Sequence, residues 1–594
     1  MKNRDAASST LRRIKDGDVI GSMEPDGTHA WRGIRFAAPP VGPLRWRAPQ
    51  PVQPWAGVYE ALGYLPMAPQ YAGLLAPVPK ATHGRVVGSE DCLGLNVFAP
   101  AWERQDVPRG AQRRPVMVWI HGGGNAVGTA ESYEVLRNYA AHDDLIVVTV
   151  NYRLGILGWL ALPLLNEGED TTEQERSGNF GTLDLIAALH WVRDNIEAFG
   201  GDPGQVTVFG QSAGGQNVLT LLASPLAAGL FHRAIAQSPV ANTYSLEEAT
   251  LPNDDPIKSL RATASELSRR WMAIARETPN AALVDAGALS AKDTAKLLRS
   301  LSPAQLLSAV QPGTAGIYLG PRPIRDGLVL PSDPLPQVFA SGRWNRMPVI
   351  IGSTRDEYRT FLADKPEHAR MVWGAVPILR NRRAYAVESG YLSRAWKALN
   401  VDRIADAMLA SGHEEIWTYR FDWDEAPAVP FIRPDLLLGA AHGMEMPFVF
   451  RDVRGEFDLF GVNTPFNKRG RVALSDAMGL AWTSFARHGR PGLAHGTQWS
   501  PRSAARNRPD SLVFDTEHGG GIRMEFLRDE IGSLKQGLLD DASLEPDLRC
   551  RIYARLFLWS PLYAGHGSVS EFEQWCLRLG CKESPEKFRP IVEI

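Results

Sequence analysis

The chain has 594 residues, which is more than a single hydrophobic core usually serves. Its composition, 44% hydrophobic and 22% charged, is typical of a globular enzyme and excludes a disordered or fibrous class. The 64 basic and 66 acidic residues nearly cancel, giving a formal net charge of -2. This balance leaves no basic surface for nucleic acid and no polybasic patch for a membrane, and it favours neutral or mixed substrates.

The first residues of the chain mix charges and lack the apolar core of a secretory signal. No run approaches the roughly 18 apolar residues that a membrane helix needs. The cysteines are few, and reduced thiols in the cytoplasm are the expectation. They are Cys92, Cys550, Cys576 and Cys581. The spacing of Cys576 and Cys581 matches zinc knuckles poorly and no histidine pair follows, so no metal site is predicted.

Four short runs rich in valine and isoleucine predict strands that are buried on both faces, as in a parallel sheet covered by helices. They are residues 115–120, 145–150, 205–209 and 347–351. Between the second and third runs, apolar residues from Leu185 to Phe199 recur at helical spacing, and Gly200 ends the pattern. The order strand, helix, strand predicts a right-handed crossover within one sheet.

The remaining segments indicate one large domain, residues 1–594, with additions to a central sheet. Residues up to about 100 contain Pro- and Gly-rich turns between short strand-like pieces, which predicts an antiparallel edge of the sheet. Residues 254–320 have helical patterns and are expected to form a cap over the substrate. A C-terminal extension, residues 540–594, is apolar enough to pack on the main body.

The segment Gly210-Gln-Ser212-Ala-Gly214 follows the third predicted strand directly and precedes a helical stretch beginning near Gln216. This is the strand, turn and helix context of the G-x-S-x-G elbow. The serine of such a turn is strained, so its neighbours two positions away must lack side chains. The motif alone also fits an ordinary glycine turn. Its context predicts Ser212 as a nucleophile placed at a helix N-terminus, where negative charge is stabilised.

A second glycine-rich segment, His121-Gly-Gly-Gly124, follows the first predicted strand. Consecutive glycines at a strand end can aim backbone N–H groups at an oxyanion. We therefore predict an oxyanion hole formed by the N–H groups of Gly123, Gly124 and Ala213. The alternative is a flexible surface loop, which the presence of both motifs in this order disfavours.

A serine nucleophile needs a base, and the base needs an acid that fixes its tautomer. In proteins with such a serine elbow, the acid and then the histidine follow the serine along the chain. Among the 13 histidines, His442 lies in a glycine-flanked segment. The patterns around His232, His368, His413 and His488 instead indicate surface or packing positions. Asp356 and Glu357 both follow the fourth predicted strand, and their spacing does not choose between them.

With these residues identified, the sequence resembles the type-B carboxylesterase and cholinesterase-like family over about residues 17–534. The shared segments are FAAPPVGPLRWR at 36–47, SEDCLGLNV at 89–97, NYRLG at 151–155, and the stretch from GNFG at 178 to GQSAGG at 210–215. The resemblance implies an α/β-hydrolase fold, with a large, mostly parallel central sheet flanked by helices. It also implies Glu357 as the acid, His442 as the base, and Ser238 as a hydroxyl that supports them.

The activity implied is hydrolysis of small to medium uncharged carboxylic esters through an acyl-enzyme, with no metal or organic cofactor, by a monomer or homodimer. Carbamate or amide hydrolysis on the same machinery, and a non-catalytic binding module, are the alternatives. Three departures from the family stand out. The partner expected for Cys92 is missing, Tyr358 replaces a glycine after the acid, and no tryptophan lies between Trp55 and Trp102 to bind a choline ester.

Overall fold

The structure is a computed structural model, and it describes most of the chain. The described residues are 4–73, 75–166, 171–251, 263–277, 289–313, 315–320, 322–372, 376–427, 433–452, 455, 457–458, 461–505, 507–560 and 566–589. The chain forms two compact units. The first comprises Met1–Ile235, Asn242–Val338 and Arg343–Met347, and the second comprises Ala236–Ala241, Phe339–Gly342 and Pro348–Ile594. The single domain expected from the sequence stays a prediction.

The first unit contains a mixed sheet of six strands in the order β1-β2-β3-β5-β4-β6. These are β1 Ser22–Met23, β2 Thr28–Arg35, β3 Gly94–Pro100, β4 Arg114–Ile120, β5 Ile146–Val150 and β6 Gly201–Gln211. Strands β1, β2, β3 and β5 pair in antiparallel fashion, whereas β5, β4 and β6 are parallel. The antiparallel N-terminal edge and the first three predicted strands are therefore confirmed.

Short elements complete the first unit. Its further strands are Arg12–Ile14, Gly17–Ile20, Val58–Glu60, Gln70–Tyr71, Val86–Val87, Tyr244–Ser245 and Ile324–Arg325. Its short helices are Asn138–Asp143, Gly155–Gly158, Glu173–Arg176, Leu246–Thr250 and Pro303–Leu307. The chain passes from one unit to the other within strand Arg233–Gln237 and helix Leu335–Ala340.

Buried valines hold the parallel strands of the first unit in register. Val118 of β4 lies opposite Val148 of β5 and Val208 of β6, and all three are at most 1% exposed. Helix α1, Phe180–Asn195, continues as a 3-10 turn that Gly200 ends in a left-handed conformation, φ 82°. Strand β6 and helix α2, Ala213–Ala223, follow. Helix α2 begins three residues before the predicted start near Gln216, because the turn at Ser212 leads straight into it.

The predicted helical insertion contains helices α3, Ala264–Arg276, and α4, Ala291–Ser300. Thr263 and Ser290 cap their N-termini, since each hydroxyl accepts a hydrogen bond from the backbone N–H three residues later. Residues 254–262, 278–288 and 314 of this insertion lie outside the described residues. The role of the insertion as a cap stays a prediction.

The second unit has a mixed sheet in the order β7-β8-β9-β10, in which only the last pair is antiparallel. These strands are β7 Val349–Thr354, β8 Ile416–Phe421, β9 Ser511–Phe514 and β10 Arg523–Glu525. Its longer helices are α5 Arg382–Lys397, α6 Arg403–Ala410, α7 Lys468–His488, α8 Ile531–Asp540, α9 Pro546–Tyr553 and α10 Val569–Leu579. Strand β7 confirms the fourth predicted strand.

Shorter pieces of the second unit flank these elements. They are the strands Ala369–Val372, Val376–Leu379, Leu493–Ala494 and Thr497–Gln498, and the helices Arg359–Leu362, Pro434–Leu437 and Met446–Val449. Among the helices of the described residues, in either unit, none has the length and apolarity that a bilayer crossing demands.

The C-terminal extension forms α9 and α10 and docks on α5 within the second unit. Arg551 and Arg555 bind the two carboxylate oxygens of the fully buried Glu388 at 2.9 and 2.7 Å. Cys550 and Cys581 form a disulfide, with their Cα atoms 6.7 Å apart. The expectation of reduced thiols is wrong for these two residues, because packing α9 against α10 brings them together. Cys92 and Cys576 are unpaired, as expected.

Candidate active site

Ser212 lies in a strained turn between β6 and α2. Its backbone angles are φ 60° and ψ -122°, a conformation that a non-glycine residue rarely adopts. A Cβ atom on Gly210 would lie 2.6 Å from the Ile120 carbonyl oxygen, and one on Gly214 would lie 2.0 Å from the same atom. Both positions therefore require glycine, and the strand, turn and helix follow one another as predicted. Ser212 itself is partly exposed.

The triple-glycine loop lies against this turn within the first unit. A Cβ atom on Gly122 would come within 3.2 Å of the Ser212 Cβ atom. Gly123 and Gly124 have φ of 105° and 64°, and their N–H groups make no backbone hydrogen bond within the described residues. Ala213 is the first residue of α2, where an N–H group has no partner inside its helix. Three donors are thus available beside the serine.

Side-chain hydrogen bonds fix the loop to the helix that follows the serine. The Asn125 amide donates to Gln216 Oε1 at 3.0 Å, and the Asn217 amide donates to Asn125 Oδ1 at 2.9 Å. All three side chains are buried. Because a buried network of this kind has few alternative arrangements, it holds the glycine loop in one position against α2.

His121, at the start of the loop, is a structural histidine. It is buried, and its Nδ1–H donates to the Gly122 carbonyl at 2.9 Å. The Tyr152 hydroxyl donates to the His121 carbonyl at 2.6 Å. Burial lowers the pKa of His121 to about 4, so this imidazole stays neutral in the physiological range. It adds no positive charge beside the glycine donors.

In the second unit, Glu357 and His442 form a buried acid–base pair. His442 Nδ1–H donates to Glu357 Oε2 at 2.5 Å, and the Thr354 backbone N–H donates to Glu357 Oε1 at 2.8 Å. Glu357 is fully buried and His442 is 9% exposed. The carboxylate therefore holds the imidazole in one orientation and places the ring proton on Nδ1.

Asp356, the other carboxylate that the spacing left open, is bound elsewhere. Its Oδ1 lies 3.2 Å from an Arg359 guanidinium nitrogen, and its Oδ2 lies 2.8 Å from an Arg355 nitrogen. Oδ2 also accepts the Ala440 backbone N–H at 3.1 Å. Of the two adjacent acids, Glu357 is the one that contacts His442.

Aromatic rings support His442 from the side. The ring centres of Trp396 and Phe361 lie 5.1 and 5.3 Å from the centre of the imidazole. Tyr358 packs in turn against Phe361 at 5.6 Å, and its backbone N–H donates to Ser393 Oγ at 3.0 Å. Tyr358 thus extends the apolar wall behind His442, and the neighbouring Glu357 still contacts the imidazole.

Glu445 is a third buried carboxyl in this region, and no sequence motif assigns it a role. It is fully buried, beside the side chain of Gln237. Burial, reinforced by the charge of Glu357, raises the pKa of Glu445 to about 7. The signal that could have revealed it is its position three residues after His442.

Ser238 adopts an unusual backbone conformation, φ 42°, next to strand β7. Its backbone N–H donates to the Gly352 carbonyl at 2.8 Å. Its hydroxyl is buried and has no partner within the described residues. The structure thus shows a backbone contact for Ser238, and the supporting role of its hydroxyl stays a prediction.

A search of known protein families matches residues 8–376 of this chain to the carboxylesterase family. The chain is 34% identical over 517 residues to the para-nitrobenzyl esterase of Bacillus subtilis (strain 168), covering 84% of this chain and 94% of that protein. It is 33% identical over 512 residues to carboxylesterase 1D of Rattus norvegicus, covering 79% and 83%. It is 32% identical over 539 residues to the fumonisin B1 esterase of Sphingopyxis macrogoltabida, covering 86% and 87%.

Solved structures give the same result. The Geobacillus stearothermophilus carboxylesterase EST55 is 29% identical, with a TM-score of 0.62 over 89% of this chain and 99% of that one. A PNB esterase structure is 30% identical, with a TM-score of 0.59 over 87% and 97%. These neighbours confirm the predicted α/β-hydrolase fold class. The chain therefore belongs to the carboxylesterase family and is a carboxylic ester hydrolase.

Proposed function

We propose that this esterase works through Ser212, His442 and Glu357 and forms a covalent acyl-enzyme. The observation that carries the proposal is the 2.5 Å hydrogen bond from His442 Nδ1 to the buried Glu357. With the proton fixed on Nδ1, the other ring nitrogen, Nε2, is the atom that can accept the proton of Ser212. The strained turn of Ser212 supports its role as the nucleophile.

In the first half of the reaction, Ser212 Oγ attacks the ester carbonyl carbon while His442 Nε2 takes the hydroxyl proton. The carbonyl oxygen becomes an oxyanion, and the N–H groups of Gly123, Gly124 and Ala213 donate to it. Such a donor typically stabilises the transition state by about 3 kcal/mol. The imidazolium that forms is stabilised by Glu357.

The intermediate then collapses. The bond to the alcohol oxygen breaks, and His442 gives its proton to the departing alkoxide, which leaves the acyl group on Ser212. In the second half, His442 takes a proton from water, the hydroxide attacks the acyl carbon, and the proton returns to Ser212 Oγ as the acid is released. Every proton taken is returned, so no metal or organic cofactor is required.

The substrates we propose are small to medium uncharged esters. The near-zero net charge supports this choice, because the chain has no strong field to attract a charged ester. Two relatives are named for the esters they cleave, para-nitrobenzyl esters and fumonisin B1. We propose aryl and alkyl acetates as the first class to test, with cytoplasmic activity as a monomer or homodimer.

The test combines turnover with covalent labelling. The purified protein is assayed with p-nitrophenyl acetate, then treated with a serine-directed phosphonate, and the labelled peptide is identified by mass spectrometry. We expect one label per chain on Ser212 and loss of activity in proportion to labelling. Ser308→Ala is a matched control, because Ser308 is an exposed serine that directly follows the short helix Pro303–Leu307, and its loss should leave labelling unchanged.

Three outcomes would contradict the proposal. A label on another serine that abolishes turnover would move the nucleophile. Turnover that persists in fully labelled protein would exclude the acyl-enzyme. Absence of both turnover and labelling would favour a binding module. A panel of esters graded by acyl length and alcohol size, run beside matched carbamates and amides, then defines the bond that is cleaved.

A further inference from the structure

Three sulfur atoms meet in the C-terminal extension. Cys550 lies in α9, Cys576 lies in the last turn of α10, and Cys581 lies two residues after the end of α10. Their Sγ atoms all lie within 4.8 Å of one another. Cys550 and Cys581 are joined as a disulfide, and Cys576 is a free, partly exposed thiol beside it. We call these residues the cysteine cluster. The proposed mechanism of ester hydrolysis does not involve them.

We propose that the cysteine cluster, once its disulfide is reduced, binds a soft divalent cation such as Zn²⁺ or Cd²⁺. Thiolate ligands about 2.3 Å from zinc in a tetrahedron lie about 3.8 Å apart. Cys576 Sγ lies within 4.8 Å of the two bonded sulfurs, which separate once the disulfide is reduced, and α9 and α10 are packed together. The ring centres of Tyr553 in α9 and Trp575 in α10 are 4.6 Å apart. Only small side-chain movements would be needed to complete three-sulfur coordination.

The surroundings of the cysteine cluster also favour a cation. The carboxylates of Asp547 and Glu573 lie close enough for their negative charges to act on the Cys576 thiol. Cys581 Sγ lies 3.2 Å from the carbonyl oxygen of Pro546, the residue before Asp547. Cys576 and Cys581 are partly exposed, so a water molecule can take the fourth position, as it does at zinc sites with three protein ligands.

Two further features favour a cation at the cysteine cluster. Cys576 lies at the C-terminus of an eleven-residue helix, where the helix dipole favours positive charge. The one basic side chain of α10, Arg578, is paired with Asp540 at 3.0 Å. Its charge is therefore already partly balanced.

The disulfide controls the site. Reduction by a dithiol transfers two electrons and two protons to Cys550 and Cys581, breaks their S–S bond, and leaves the reductant as a disulfide. The three thiols then bind one divalent cation and release three protons to solvent. In the oxidised protein only Cys576 remains as a thiol, which is too few ligands to hold the cation. The cysteine cluster is thus a cation site that opens on reduction.

The test uses the full-length protein in both redox states. Oxidised and phosphine-reduced samples are titrated with Cd²⁺, and the ultraviolet charge-transfer absorption of Cd–thiolate bonds is recorded. We expect one Cd²⁺ per reduced chain, none per oxidised chain, and the loss of three reactive thiols on binding. Cys576→Ser should weaken Cd²⁺ binding by about 100-fold or more. The loss of an outer-shell partner of a metal ligand can already cost that much, and Cys576 is proposed as a ligand itself.

Two variants keep this test decisive. Cys92→Ser removes a buried thiol outside the cysteine cluster and should leave Cd²⁺ binding unchanged. Asp547→Asn retains every sulfur and removes a negative charge near Cys576, so it should weaken binding less than Cys576→Ser does, and it serves if Cys576→Ser fails to fold. Equal binding by oxidised and reduced protein, or binding that Cys92→Ser abolishes, would overturn the proposal. So would a reduced wild-type protein that binds no Cd²⁺.

Discussion

The serine turn of the first unit and the Glu357–His442 pair of the second depend on different parts of the chain, the backbone in one case and side chains in the other. The serine turn depends on backbone: glycines that lack a Cβ atom, positive φ angles and N–H groups at a helix start. The acid–base pair depends on buried side chains, since Glu357 and His442 are 85 residues apart in sequence and meet only in the fold. Local backbone demands leave a motif in the sequence, whereas long-range burial leaves almost none.

The same difference predicts how each region responds to a change of pH. No ionisable side chain is required among the donors of the serine turn, so its geometry should be insensitive to pH. The second region holds Glu357, His442 and Glu445 in buried surroundings, so its behaviour should depend on protonation.

Ser212→Ala tests whether the serine turn carries the chemistry. Removal of the nucleophile should lower kcat by about 10⁶-fold, as expected when one member of a triad is lost. Initial rates of p-nitrophenyl acetate hydrolysis measure the effect, and thermal unfolding should show an unchanged melting temperature. Retention of more than a small fraction of the wild-type rate would place the nucleophile elsewhere.

Glu357→Gln tests the acid–base pair. The amide keeps the shape of the side chain but can fix the wrong tautomer of His442, so kcat should fall by about 10⁴-fold. Asp356→Asn is the matched control, because Asp356 contacts arginines and not His442, and its effect should be far smaller. If Asp356→Asn had the larger effect on kcat, the acid would be wrongly assigned.

Gly214→Ala tests the steric demand of the serine turn. Its Cβ atom would lie 2.0 Å from the Ile120 carbonyl oxygen, so the free energy of unfolding should fall by about 4 kcal/mol or more. Gly63→Ala is the control, because an added Cβ atom there meets no atom within 4 Å. Urea unfolding of both variants checks the difference, and equal midpoints would show that the turn can relax.

Glu445→Gln tests the protonation of the second region. In the folded protein Glu445 keeps its proton up to its pKa of about 7, whereas an unfolded glutamate loses it near its model value of 4.5. Between these values the folded state binds more protons, so wild-type stability falls as pH rises. Glutamine cannot ionise, so the variant does not lose this stability. Its free energy of unfolding relative to the wild type should therefore rise by about 3 kcal/mol across this pH range.

The measurement for Glu445→Gln is the difference in melting temperature between variant and wild type at pH 5 and at pH 8. The variant should be favoured at pH 8 and nearly equal at pH 5. The exposed Glu414→Gln controls for the loss of a carboxyl as such. A difference that stays constant with pH would contradict a protonated Glu445.

The sequence predicted those features that short segments determine. The four strands, the serine turn and the glycine loop were all placed by residues that are close together in the chain. The start of α2 was missed because Gly214 and Gly215 are poor helix formers, and the turn geometry overrides that propensity. The choice of Glu357 came from resemblance, since the spacing fitted Asp356 equally well. The Cys550–Cys581 disulfide was missed because its pairing depends on how α9 packs on α10.

The salt bridges between the C-terminal extension and α5 limit how far this enzyme can be shortened. Glu388 is fully buried, and Arg551 and Arg555 of the extension pair with it. Helix α5 also carries Trp396, which contacts the imidazole of His442. Deleting the tail would leave a buried, unpaired carboxylate on the helix that contacts His442. A trimmed enzyme would therefore need a neutral residue at 388 as well, so tail and helix must be redesigned together.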